Sequence, residues 1–224
     1  LRTFFLFYLL SYVLHNPLLA LLIAGAVFYF FEARHSGRYF NPGSFFSTRN
    51  TLKDLRKTVE INPHDVSAHN DLGRLLADAG KFGQGLGHME KAIARMPESP
   101  ETNYYYGLCL LKEGRQDEAL DYMKRALEIN PRFLYGVPQV ELAKVELAQG
   151  NGKAAAEWAR KAVKLNTSSV EGWLTLARAQ KQCGNDGEAA SAYASATSAY
   201  ADLPHYLKLA SRSFARDAKR EAKA

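Results

Sequence analysis

Two hydrophobic patterns divide this chain. From Phe4 to Phe31 apolar residues run on with no Asp, Glu, Lys or Arg among them, broken only at His15-Asn16-Pro17. Beyond that run the apolar positions recur three and four apart, as in Leu72, Leu75 and Leu76 or in Leu108 and Leu111. The first pattern predicts a membrane element, and the second predicts amphipathic helices.

About 20 apolar residues cross a bilayer, so residues 1–33 are expected to form a membrane anchor. A cleavable signal has a shorter apolar region that ends in small residues, whereas Tyr29-Phe30-Phe31-Glu32 stand here. Pro17 disfavours helix at Asn16, which leaves three arrangements open: one kinked span, an interfacial arm over 1–15 before a crossing over 17–33, and a re-entrant hairpin. Thr3, Ser11 and His15 share one helix face, the weak polar stripe that an interfacial arm carries. Phe28, Tyr29, Phe30, Phe31, Arg34 and Arg38 are expected at the membrane–water interface, where rings and cations favour the headgroup level. Arg49, Lys53, Arg56 and Lys57 follow, and the positive-inside rule places the polar part in the cytoplasm. The periplasmic side of a bacterial inner membrane stays open, because little of the opposite flank is present. Residues 34–50 are expected to be a membrane-proximal linker.

The polar part repeats. A glycine recurs at Gly80, Gly114, Gly150 and Gly184, at intervals of 34, 36 and 34 residues. Small residues keep the same register at Ala92, Ala126, Ala162 and Ala196, at Gly85, Ala119, Ala155 and Ala189, and at Gly73, Gly107, Ala143 and Ala177. Each unit reads as helix, glycine turn, helix. The glycine is expected to end the first helix in a left-handed cap, and the small residues to let two antiparallel helices approach closely. Pro97 and Pro131 close units one and two. No unit buries its apolar face alone, so neighbours must stack.

Two irregular ends complete the pattern. Leu52 to Pro63 matches Leu120 to Pro131, with the same Glu-Ile-Asn-Pro ending, so an orphan second helix is expected over 51–65. Pro204 opens a last helix, with Tyr206, Leu207, Leu209, Ala210 and Phe214 as its expected apolar set and Lys208, Arg212, Arg216, Lys219 and Arg220 outside. Residues 204–224 then form a capping helix with a basic tail.

This framework resembles the tetratricopeptide repeat family over about two-thirds of the chain, with units at 66–99, 100–133, 136–169 and 170–203. The family's signature aromatic stands as Trp173, while His69, Asn103 and Gln139 occupy the other three places. Its first-helix tyrosine is replaced by Leu76, Leu110, Glu146 and Gln180, and its closing proline by Thr167 and Ala201 in the last two units. The resemblance implies an all-α, right-handed α-solenoid of helix-turn-helix units, here joined to an N-terminal membrane-embedded helical segment. It further implies that first helices line a concave groove. The ninth residues of the units, Arg74, Leu108, Lys144 and Arg178, and the fifth, Asn70, Tyr104, Val140 and Leu174, would point into it. That groove would mix an apolar stripe with a positive row and suit an extended or helical segment with acidic and apolar residues. The carboxylate clamp of some members is not expected, because Leu108 interrupts the cations.

Composition narrows the chemistry. With 47% hydrophobic and 23% charged residues, whole-chain disorder is excluded. Two cysteines, Cys109 and Cys183, exclude a disulfide scaffold and a multi-cysteine zinc site. The net charge of +6 sits at the ends: residues 1–63 hold seven Lys and Arg against three Asp and Glu, and residues 204–224 six against two. Basicity beside an apolar run points to anionic lipid rather than nucleic acid. Gly83-Gln84-Gly85-Leu86-Gly87 lacks the flanking strands of a phosphate loop. His64 and His69 are five apart, the wrong spacing for one metal-binding helix face, and no paired carboxylates or cysteine–base pair can be placed. No catalytic residue, cofactor or metal is expected.

The expected function is a non-enzymatic, membrane-anchored scaffold for protein–protein interaction, an assembly factor or accessory subunit of a multisubunit membrane complex. Its partners would be protein subunits, with lipids contacting the N-terminal segment. The alternative is a chaperone-like adaptor that captures an acidic, apolar peptide of a soluble partner and uses the anchor as an address.

Overall fold

The computed structural model describes residues 42–223 together with Leu19 and Ile23. The rest of the expected anchor lies outside the described residues, including Phe28, Tyr29, Phe30, Phe31, Arg34 and Arg38. Among the described residues there is no strand, and no helix is long and apolar enough to cross a membrane. The chain is an all-helical solenoid. Helix α1 (Pro42–Ile61) leads into four antiparallel pairs: α2 (Val66–Asp78) with α3 (Phe82–Ile93), α4 (Pro100–Lys112) with α5 (Gln116–Ile129), α6 (Val137–Ala148) with α7 (Gly152–Leu165), and α8 (Val170–Gln182) with α9 (Asp186–Asp202). Helix α10 (His205–Glu221) follows the last pair. The stretch expected as a linker over 34–50 is helical from Pro42, because α1 runs on unbroken into the orphan half-repeat.

The four turns close alike. Gly80, Gly114, Gly150 and Gly184 have φ of 73°, 87°, 82° and 76°, a region that strains any residue with a Cβ. In unit one the Lys81 amide donates to the Leu76 carbonyl at 2.8 Å and the Gly80 amide to Ala77 at 2.9 Å. The same two-bond closure recurs after α4, α6 and α8 and satisfies carbonyls that a helix end leaves open.

Packing explains the small-residue register. A Cβ on Gly107 would stand 3.0 Å from the Ala119 carbonyl oxygen and 3.0 Å from Met123 Cγ. Gly73 and Gly85 meet in the same way in unit one, where the glycine-rich run lies inside α3. Around these contacts Leu72, Leu76, Met89, Leu110, Met123, Leu142 and Leu174 are fully buried. Each such side chain contributes about 2 kcal/mol of transfer free energy.

The missing signature aromatics have a common substitute. His69 Nε2 meets the Pro63 carbonyl at 3.1 Å, Asn103 Nδ2 donates to Pro97 at 2.8 Å, Gln139 Nε2 to Pro131 at 3.0 Å, and Trp173 Nε1 to Thr167 at 2.8 Å. An N–H donor, rather than an aromatic ring, is what all four places supply. It ties each first helix to the turn that precedes it. Glu146 and Gln180, where an apolar residue stands in units one and two, accept from Asn151 and Asn185 at 2.9 Å each. The later units thus hold a satisfied polar pair in place of a leucine.

One junction breaks the pattern. The first helices of units one, two and four are capped by Asp65, Ser99 and Ser169, whose side chains accept from the backbone amide three residues on. In unit three that place holds Gly136, with φ 98° and no side-chain cap. The two residues before it, Leu134 and Tyr135, also have positive φ, 49° and 46°. They account for the 36-residue interval. Such conformations cost non-glycine residues on the order of 1–2 kcal/mol each.

The face that α10 buries differs from the expected one. Ala215 and Ala218 are buried and Phe214 packs beside them, but Tyr206, Leu207 and Leu209 are 63%, 41% and 43% exposed. Arg178 fixes this rotation. It donates from Nε and Nη2 to the Glu221 carboxylate at 3.0 and 2.7 Å, which turns the Ala215–Ala218 side inward. Lys208, expected on the outer face, donates to the Ala201 carbonyl at 2.8 Å.

Candidate partner-binding surface

The first helices of units one and two and of units three and four lie side by side, while those of units two and three scarcely meet; the ninth residues lie on these first helices. Arg74, Lys144 and Arg178 all lie there, partly exposed, and Leu108 takes the remaining place. The fifth residues do not line a groove. Asn70, Tyr104, Val140 and Leu174 are each 5% exposed or less. They pack between units: Thr102 donates to Asn70 Oδ1 at 2.8 Å, and Tyr104 stacks edge-on with Phe133 at 5.7 Å. Burial pushes the Tyr104 phenol far up. The expected apolar stripe is therefore core.

The expected positive row is also neutralised. Arg74 Nε lies 3.1 Å from Glu101, and its guanidinium is flanked by Asp71 and Asp78 at 3.8 Å. Lys144 bridges Glu141 and Glu171 at 2.5 and 3.0 Å. Burial works to lower the Lys144 ammonium, but the two carboxylates outweigh it and hold it above the ordinary lysine value. Arg178 is clasped by Asp217 and Glu221. Its bonds hold the Glu221 carboxyl below the ordinary range, while desolvation opposes them. Seven carboxylates thus surround three cations. Two of the clasps join the ninth residue of one unit to the second residue of the next, a partner the sequence reading left unused. At the junction of units two and three the same two places hold Leu108 and Val137, and Val137 is 47% exposed. This face carries an apolar step between two self-neutralised groups. Tyr105 lies in the same region, its phenol pushed up to about 12 by burial and by the Asp78 carboxylate.

A second feature was not legible in the spacing of the histidines. His69 Nδ1 lies 2.8 Å from His88 Nδ1. The Pro63 carbonyl only accepts, so His69 carries its proton on Nε2 and accepts from His88 at Nδ1. Desolvation, then His69, Lys91 and Arg56, lower the His88 value. The pair locks α2 to α3. Among the described residues no group of three His, Cys, Asp or Glu is placed to hold a metal. Cys109 is buried, which pushes its thiol up to about 12.

A tetratricopeptide repeat profile matches residues 55–132. The photosystem I assembly protein Ycf3 of Acaryochloris marina is 30% identical over 114 residues, 42% of this chain and 68% of that protein. The chain belongs to the tetratricopeptide repeat family. The cytochrome c-type biogenesis protein CycH of Bradyrhizobium diazoefficiens is 25% identical over 176 residues, 67% of this chain. This repeat chain spans 35% of the length of the human IFIT1 homolog B and 48% of CycH. Among solved structures, the type IV pilus biogenesis factor PilW superposes with a TM-score of 0.58 at 21% identity, over 70% of this chain and 72% of PilW.

Proposed function

We propose that this chain is a non-enzymatic scaffold, tethered to a membrane by residues 1–33, that holds a protein partner during assembly of a multisubunit membrane complex. The observation that carries the reading is the first-helix face. Its cations are consumed inside the chain, and what it leaves for a partner is the apolar step at Leu108 and Val137. Such a surface selects by shape and apolar contact and makes no demand for a polyanion, which argues against nucleic acid. The printed roles of Ycf3, CycH and PilW, assembly or biogenesis in each case, favour the same job. A tether raises the effective concentration of a partner on the same bilayer. The cations next to the apolar run favour the cytoplasmic side.

The test uses the full chain in mild detergent. Leu108→Arg with Val137→Glu places charges at two positions of the middle junction that are partly exposed, so the solenoid is expected to fold. Capture of membrane subunits, read by mass spectrometry, is expected to fall at least tenfold. Unchanged capture removes the first-helix face from the account. Replacing residues 1–33 with an unrelated span separates this reading from the adaptor alternative. Loss of the subunits with membrane location intact supports the scaffold, and their retention makes the anchor an address.

A further inference from the structure

The two extra residues at 134–135 also change the opposite face, the one formed by second helices. Where they enter, α5 and α6 touch far less than the corresponding α3–α4 and α7–α8 pairs. A cleft of about 530 Å³ opens between α5 and α7. That lies in the range of sites that bury a small ligand or a few side chains. Its apolar walls are Leu127, Pro131, Trp158 and Leu165.

Two independent observations say what fits. Lys124, Lys161 and Lys164 line the cleft against a single carboxylate, Glu128. None of the three makes an ion pair among the described residues, in contrast to Arg74, Lys144 and Arg178. Lys161 instead sits 4.3 Å over the Trp158 ring. Gln139, 3% exposed, forms part of the wall. Its nitrogen is taken by the Pro131 carbonyl, and its Oε1 is shut off from solvent, as is Asn103 Oδ1 at the equivalent place in unit two. The cleft itself therefore offers an aromatic wall and an uncompensated cationic rim.

We propose that this cleft is a second protein-docking site, one that takes a short acidic segment of a partner with an aromatic residue as its anchor. The ring packs against Trp158, and flanking carboxylates pair with Lys124, Lys161 and Lys164. The site is separate from the first-helix face, so a scaffold would hold two partners at once.

The test labels the full chain in detergent micelles with 5-fluorotryptophan. The two tryptophans, Trp158 and Trp173, give two fluorine resonances. The probe is the blocked peptide Asp-Glu-Tyr-Glu-Leu. Saturable movement of the Trp158 resonance, with Trp173 still, is the expected result. The version with alanine in place of tyrosine is expected to bind at least roughly threefold more weakly, because it lacks the ring that packs against Trp158. Lys161→Glu with Lys164→Glu, both exposed, should weaken binding at least tenfold while Trp173 and the thermal melt stay unchanged. A Trp158 resonance that does not move, or equal binding by the charge-reversed chain, would overturn the site. Equal affinity for the two peptides would overturn the aromatic anchor. In the Leu108→Arg, Val137→Glu chain the peptide should bind as in the parent, which separates failure here from failure of the first-helix face.

Discussion

The junctions between units one and two and between units three and four are built alike, and the one between units two and three is not. Each regular junction has a capped first helix and an ion pair, Arg74 with Glu101 or Lys144 with Glu171. The middle junction replaces the cap with Gly136, replaces the ion pair with Leu108 and Val137, and holds three successive residues at positive φ. The same stacking principle thus gives two closed seams and one open one. Where the two inserted residues enter, α5 and α6 touch less than their counterparts, apolar surface is exposed on one face and a cleft lies on the other. Stability is concentrated at the regular seams, and surface that can be recognised is concentrated at the irregular one.

The largest expected effect breaks the middle junction outright. At Gly136 a Cβ would stand 2.9 Å from the Ala162 carbonyl oxygen, at φ 98°. Gly136→Ala combines backbone strain with overpacking and should cost about 3 kcal/mol or more in a chemical-denaturation experiment. Gly114→Ala, at φ 87° with open space around it, should cost only about 1 kcal/mol. Equal costs would show that the middle junction is not specially packed.

Smaller effects test the ends of the regular half. Glu221→Gln should cost about 1 kcal/mol and release α10, seen as faster proteolysis after residue 203. The folded Glu221 value is lowered. Its share of stability is therefore present above the ordinary carboxylate value near 4.3 and lost as pH falls through the lowered one. The Gln variant should lack that part of the acid transition. In unit one, His88 is also lowered when folded. His88 thus contributes stability to the α2–α3 contact above about pH 6.5, and that contribution falls as pH drops through and below it. Melting curves at pH 7.5 and 5.5 should separate, and His88→Gln should narrow the gap. The smallest effect is Tyr135→Asn. Asparagine tolerates the left-handed region and the ring is 72% exposed, so stability should rise by about 0.5 kcal/mol. A fall would mean that the ring packs where the structure shows it free.

The repeat was legible because it rests on backbone geometry. A left-handed turn needs glycine, and close helix pairs need Gly107, Ala119 and their counterparts, so the sequence states both. The 36-residue interval likewise announced the extra residues 134–135. What the interval could not announce was their effect, since three positive φ values in a row depend on how α6 meets α7. The groove was less legible for a related reason. Whether Tyr104 or Val140 faces solvent depends on the rotation of one unit against the next, and that rotation buries the fifth residues. Half of the clasp on Arg74 and Lys144 was within reach of the spacing, since Asp71, Asp78 and Glu141 stand three or four residues away, while Glu101 and Glu171 lie 27 residues away across the junctions. The face of α10 turned on Arg178 and Glu221, 43 residues apart. His88 was passed over because spacing was weighed within a helix, and its partner is across the turn.

The most direct test of the open middle seam is native-state amide exchange on the full chain in detergent, followed residue by residue. The last turn of α5 and the first turn of α6 should exchange markedly faster than the equivalent turns of α3 and α4 and of α7 and α8. Deleting Leu134 and Tyr135 should bring the middle seam to the protection of the others. Uniform protection across all three seams in the parent chain would contradict the account.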